Sequence, residues 1–92
     1  MAEALRWPAE VIQAVSKPFS RPITGYLLAP RLMGVAVAGH IYMDALGRFE
    51  DGTLISTSAI TEFCDEQGYL VADTLSGSRY VLVFSEASDG EG

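Results

Sequence analysis

Hydrophobic positions follow two different periods along this chain. Near the start, Val11, Ile12 and Val15 fall at i, i+1 and i+4, an apolar stripe at helical spacing. Pro8 suits a first helical turn and Glu10 lies near the positive end of the dipole, while Pro18 pushes the residue before it out of helical geometry. A helix near 8–16 is predicted, about two turns long, too short to hold alone in water and so bound to dock. From Pro18 to Pro30 three prolines and Gly25 read as an irregular connector, with one edge strand over Ile23 to Leu28.

Beyond Pro30 the period drops to two. Met33, Val35, Val37, Ile41 and Met43 share one face of an extended segment interrupted at Gly39, with Gly34, Ala36, Ala38, His40 and Tyr42 on the other. The small residues of that second face invite a close neighbour, either the short helix or the closure of a barrel. Asp51-Gly52 is a strong turn signal, Thr53 to Cys64 reads as one strand, and Asp65-Glu66-Gln67-Gly68 as a polar reversal. Tyr69 to Leu75 and Ser78 to Phe84 complete an antiparallel meander. With Ser76-Gly77 as a two-residue turn, Tyr69 would oppose Phe84, and Val71 would oppose Leu82. Both faces of this hairpin are apolar, which calls for cover on both sides by a helix, barrel closure or a second chain. The expected fold is mainly β: a short amino-terminal helix and four or five strands within 23–84, as a strongly bent antiparallel meander or small SH3-like barrel. The whole makes one domain over 1–85 with a disordered acidic tail over 86–92.

Size limits what this fold can hide. A chain of 92 residues buries only about 60 to 65% of its unfolded surface, so surplus apolar area goes into contacts with other chains, a homodimer among them. Charge is unevenly divided. Residues 1–49 balance at +2, whereas residues 50–92 carry nine carboxylates against Arg79 alone, a balance of −8. Phosphate binding needs clustered cations, so direct nucleic-acid binding is disfavoured and a basic partner surface is the natural complement. The turn carboxylates Glu50, Asp51, Asp65 and Glu66 are the candidate electrostatic contacts. Tyr42, Phe49, Tyr69 and Tyr80 are the candidate apolar ones.

Chemistry has few candidates. His40, Asp44 and Cys64 are the only set from which a Cys-His nucleophile with an orienting carboxylate could be built, but no motif flanks Cys64 and its acidic surroundings work against a thiolate. One Cys and one His exclude a two-Cys, two-His zinc site, and neither acidic pair has calcium-loop spacing. No catalytic role, metal or cofactor is expected. The lone Cys64 fits a reducing cytosol, the amino terminus lacks a signal-peptide pattern, and Tyr26 to Tyr42 is too short and interrupted for a membrane span.

Two stretches carry a resemblance. Arg48-Phe49-Glu50-Asp51-Gly52-Thr53-Leu54-Ile55-Ser56-Thr57-Ser58-Ala59-Ile60, followed by Thr74-Leu75-Ser76-Gly77-Ser78-Arg79-Tyr80-Val81-Leu82, resembles short proteins encoded by bacteriophages, prophages and plasmids. Phe49 to Leu82 spans about a third of the chain. The resemblance implies a small cytoplasmic protein of a mobile element, of the kind that includes anti-CRISPR inhibitors, binding a host protein or ribonucleoprotein complex. A structural or assembly adaptor is the alternative, and an enzyme ranks third.

Overall fold

The computed structural model describes residues 7–84; the expected tail over 86–92 lies outside them. One helix, α1 (Ala9–Val15), precedes six strands: β1 (Gly25–Met33), β2 (Ala36–Tyr42), β3 (Thr53–Ser56), β4 (Ile60–Glu66), β5 (Tyr69–Thr74) and β6 (Arg79–Val83). The helix turns Val11 and Ala14 inward, both fully buried, while Ile12 points out and is 45% exposed. The buried stripe is thus i, i+3, and Ile12, about 100° round from Val11, falls off it. Ser16 closes the last turn through its hydroxyl to the Gln13 carbonyl, 2.6 Å.

The strands form one sheet in the order β3-β2-β1-β6-β5-β4. Its central pair, β1 and β6, is parallel, and every other pair is antiparallel. The sheet is therefore mixed and six-stranded, not the four- or five-stranded antiparallel meander expected, and it does not close into a barrel. β1 is a central strand and not an edge, although it contains Pro30. A bulge makes this possible: between the pairs Leu28↔His40 and Arg31↔Ala38, residues 29 and 30 oppose Gly39 alone. Ala29 takes a left-handed φ of 54° there. A Cβ on Gly39 would stand 3.1 Å from Leu27 Cβ, 3.3 Å from the Leu28 carbonyl oxygen and 3.4 Å from Pro30 Cα. The interruption seen in the sequence is the floor of this bulge. Because backbone atoms cannot swing aside, Gly39→Ala is expected to cost about 1–2 kcal/mol, measurable as a lower urea midpoint at unchanged m-value.

Three local expectations change. Met33 to Met43 is not one extended segment, because Gly34, at φ 65°, starts a two-residue hairpin turn between Met33 and Ala36. Thr53 to Cys64 is not one strand. Thr57 donates its N–H to the Val37 carbonyl, but the Val37 N–H is accepted by the Thr57 hydroxyl, which itself donates to the Ser58 carbonyl, so a side-chain bond replaces the return bond of the ladder and β3 ends. The chain then crosses to the far edge of the sheet, where the Ile60 N–H meets the Val35 carbonyl at 2.7 Å and the Leu75 N–H meets that of Ala59 at 2.8 Å. Finally, the β5–β6 turn has three residues, closed by Gly77 N–H to Thr74 carbonyl with Gly77 at φ 92°. That extra residue moves the register by one. Leu70 opposes Leu82, Val71 opposes Val81 and Ala72 opposes Tyr80.

Both faces of the sheet are packed. On one, Val11 and Ala14 meet Tyr26, Val71, Val81 and Val83, with Phe19 and Tyr69 alongside. The helix contacts β1 and β6, not the small-residue face of β2, because the central strands offer the larger apolar surface. On the other, the coiled sheet packs Leu27, Val37, Ile41 and Ile55 against Ala72, Tyr80 and Leu82. The two-faced hairpin is thus covered within one chain, and all five residues of β6 are buried.

Candidate functional site

Two polar constructions and one apolar groove mark the surface. The first construction is the loop between β2 and β3. The side chain of Asp44 is 1% exposed, and it accepts the N–H groups of Leu46, Arg48 and Phe49 at 3.2, 2.7 and 3.0 Å, with the Arg48 guanidinium at 3.4 Å. Burial alone would raise its pKa, but the hydrogen bonds from Arg48, Leu46 and Phe49 outweigh burial and hold it below the ordinary aspartate value. Arg48 also donates to the Tyr80 hydroxyl at 3.1 Å and lies 5.1 Å above the Phe49 ring. The hydrogen bonds to Tyr80 and Asp44 raise the Arg48 pKa against the opposing effect of burial. One carboxylate therefore organises a loop that presents Phe49 and Glu50 to solvent, both exposed.

The second construction lies under the connector between α1 and β1. Arg79, 6% exposed, donates to Asp73 at 2.6 Å and to Cys64 Sγ at 3.3 Å, and pairs with Glu66 at 3.6 Å. Burial opposes its charge, yet the bonds to Asp73 and Cys64 leave its pKa raised. Glu66 accepts the backbone N–H of Ser20, which, more than Arg79, holds its carboxyl below the usual glutamate range. Gln67 donates to the Pro18 carbonyl at 3.1 Å, Arg21 reaches Asp73 at 3.9 Å, and the Arg79 N–H is accepted by Thr24 Oγ1 at 3.0 Å. These bonds fix a proline-rich segment that has no ladder of its own.

The expected site residues separate on this geometry. Strand order puts Glu50 and Asp51 before one edge strand and Asp65 and Glu66 at the end of the other. Asp51 accepts the Met43 N–H at 2.9 Å and Glu66 is engaged as described, so both have structural duties, while Glu50 and Asp65 are exposed. Tyr42 meets Trp7 edge-on at 5.8 Å and Tyr69 meets Phe19 at 6.2 Å. Tyr80 is a core residue, 3% exposed, and offers no contact surface. His40, Asp44 and Cys64 are committed to different partners: the ring nitrogen Nδ1 of His40 donates to the Gly52 carbonyl at 3.1 Å, Asp44 holds its loop and Cys64 sits beside Arg79. Among the described residues no three of His, Cys, Asp and Glu converge as a metal-holding group, and no helix is long and apolar enough to cross a membrane.

The third feature is the apolar groove. Leu32, Val37, Phe63, Leu70, Leu82 and Phe84 line a cleft of about 380 Å³ between the β1–β2 hairpin and edge strand β4, with Pro30 and Arg31 completing its hairpin side. Its rim is unusually apolar for a protein of this charge: Leu32 is 71%, Phe84 59% and Phe63 42% exposed. The signal lay in Leu32, Phe63 and Phe84 themselves, but only the fold brings them together. No family model, curated protein or solved structure matches this chain.

Proposed function

We propose that this chain is a non-catalytic binding protein of a mobile genetic element, anti-CRISPR-like, which acts in the cytoplasm of a bacterial host by covering a basic surface of a nucleic-acid-processing complex. The observation that carries the reading is the pairing of exposed carboxylates with exposed apolar side chains at both sheet edges. Glu50 stands next to Phe49 before β3, and on β4 Asp65 shares the face of Phe63 while the adjacent Glu62 turns to the other face. Acidic groups beside apolar anchors suit a protein interface in which charge steers the encounter and buried apolar area holds it. The source in a mobile element rests on the resemblance of 48–60 and 74–82 to small phage proteins. Those two stretches are joined here, Ser58 Oγ donating to Ser76 Oγ at 3.1 Å and Arg48 to Tyr80.

The test is infection of a host with an active nuclease defence, with and without this protein. Expression should restore plaque formation, and Glu50→Lys combined with Glu62→Lys and Asp65→Lys should abolish the effect while the variant melts as before. These positions replace Asp51 and Glu66, whose reversal would damage the fold. Binding of the isolated host complex should weaken as ionic strength rises past about 0.1 M. Full protection by the triple variant, or salt-independent binding, would overturn the electrostatic reading.

A further inference from the structure

The strand β4 is the last in the sheet and pairs only with β5. Its first residue shows what lies beyond its outer edge: the Ile60 N–H bonds to the Val35 carbonyl in the β1–β2 turn, 2.7 Å. From Thr61 onward no further backbone bond joins β4 to the hairpin among the described residues, and both elements contribute to the lining of the apolar cleft. An edge of seven residues with an apolar floor beside it is the arrangement in which a further strand can be added, backbone groups extending the ladder and alternate side chains dropping into the floor. Free edges are usually blunted by charge or covered. Here charge lies along the edge without closing the cleft.

We propose that β4 and this cleft take up an extended segment of another protein in which apolar and basic residues alternate. The proposal rests on the binding-protein reading above but not on its mobile-element source. Register sets the alternation. Phe63 and Asp65 oppose Ala72 and Leu70, whose side chains join the concave cluster, whereas Glu62, Cys64 and Glu66 oppose Asp73, Val71 and Tyr69 on the helix side. An incoming strand therefore points every second side chain to the face of Phe63, toward the cleft that Leu70 and Leu82 also line. The intervening ones pass to the helix side beside Glu62. Glu62 and Asp65 are exposed and have no partner among the described residues; Glu66 is already held by Ser20 and Arg79. Cations on the helix side of the incoming strand complement Glu62, whereas Asp65 shares the cleft face with Phe63. Acidic residues along β4 also oppose self-pairing, since a second β4 brought alongside would face like charge with like.

The experiment uses a seven-residue peptide alternating lysine and valine, capped at both ends, titrated into the isotope-labelled full chain. Expected are amide shifts along β4 and at Leu32, Leu70 and Leu82. Affinity should fall at least tenfold for the same peptide N-methylated on alternate residues, which cannot extend a ladder. Leu32→Asp, at a side chain 71% exposed, should fall as far while keeping its melting temperature. Glu62→Lys should lose the lysine peptide and gain a glutamate-valine one. Equal binding of the N-methylated peptide, or shifts confined to the helix face, would overturn the proposal. So would a dimer at tens of micromolar that the peptide cannot dissociate and Leu32→Asp can, which would make a second copy the occupant. Loss of the infection phenotype with peptide binding intact would remove only the mobile-element reading.

Discussion

Replacing Arg79 by methionine is expected to lower stability by about 3 kcal/mol, because removing one member of a buried ion pair leaves the others charged and unpaired. For a domain of this size such a loss corresponds to a fall of roughly 15 °C in melting temperature. The guanidinium is the common partner of Asp73, Glu66 and Cys64, and without it Asp73 retains only the distant, 65% exposed Arg21. Adding Asp73→Asn to Arg79→Met should recover part of the loss, and the two single variants with the double give the coupling directly. The Nε of Arg79 is buried with no acceptor among the described residues. That unsatisfied group offsets part of what the ion pairs contribute, and a measured loss below about 1 kcal/mol would mean that desolvation cancels them.

Asp44→Ala is expected to cost about 2–3 kcal/mol, since three backbone N–H groups and a guanidinium lose a charged acceptor that is almost wholly enclosed. The pH dependence has a definite sign. The folded carboxyl sits below its unfolded value of about 3.9, so the native state binds fewer protons through that range; its contribution is complete above about pH 4 and disappears as pH falls through the folded value. Glu66 acts in the same direction. Thermal melts from pH 6 down to about pH 2 should show parent and Asp44→Asn converging on acidification. Curves that stay parallel would mean that Asp44 shapes the loop without charge-dependent stabilisation.

What could be read in the residues depended on how local their causes were. The helix, the Asp51-Gly52 turn and the β5–β6 strands follow from period and turn chemistry within a few positions. The register of that hairpin was missed by one because Ser76-Gly77 fits a two-residue turn as well as the three-residue one that Thr74 and Gly77 build. The first half of β1 was legible over Ile23 to Leu28, but its central place and its continuation past Pro30 were not, because the cost of that proline is absorbed by a bulge that depends on Gly39, nine positions on. The break at Thr57 was hidden because hydroxyl residues favour strands until their side chains find backbone partners. Of the site, the exposed Glu50, Phe49 and Asp65 were legible as turn residues. Asp44 and Arg79 do not stand out as organisers in the residue pattern, because what distinguishes them is their partners: Leu46, Arg48 and Phe49 gathered by a loop around Asp44, and Asp73, Glu66 and Cys64 brought to Arg79 by strand pairing. The cleft was out of reach, since it exists only where β4 arrives beside the first hairpin.

The parallel pairing of β1 with β6 also governs how the molecule comes into being. Leu28 meets Val83 across 55 positions of chain, and among the described residues the β1–β6 pairing is the only ladder that connects the β1–β2–β3 half of the sheet to the β4–β5–β6 half. Closing so long a loop costs entropy before any contact returns it, so assembly is slow for a domain of this length and waits on a single late event. On the ribosome, the two halves emerge with β6 last and cannot join until it is made. The newly made halves therefore expose apolar strand faces to whatever chaperone or partner is at hand, and the finished sheet is all-or-none.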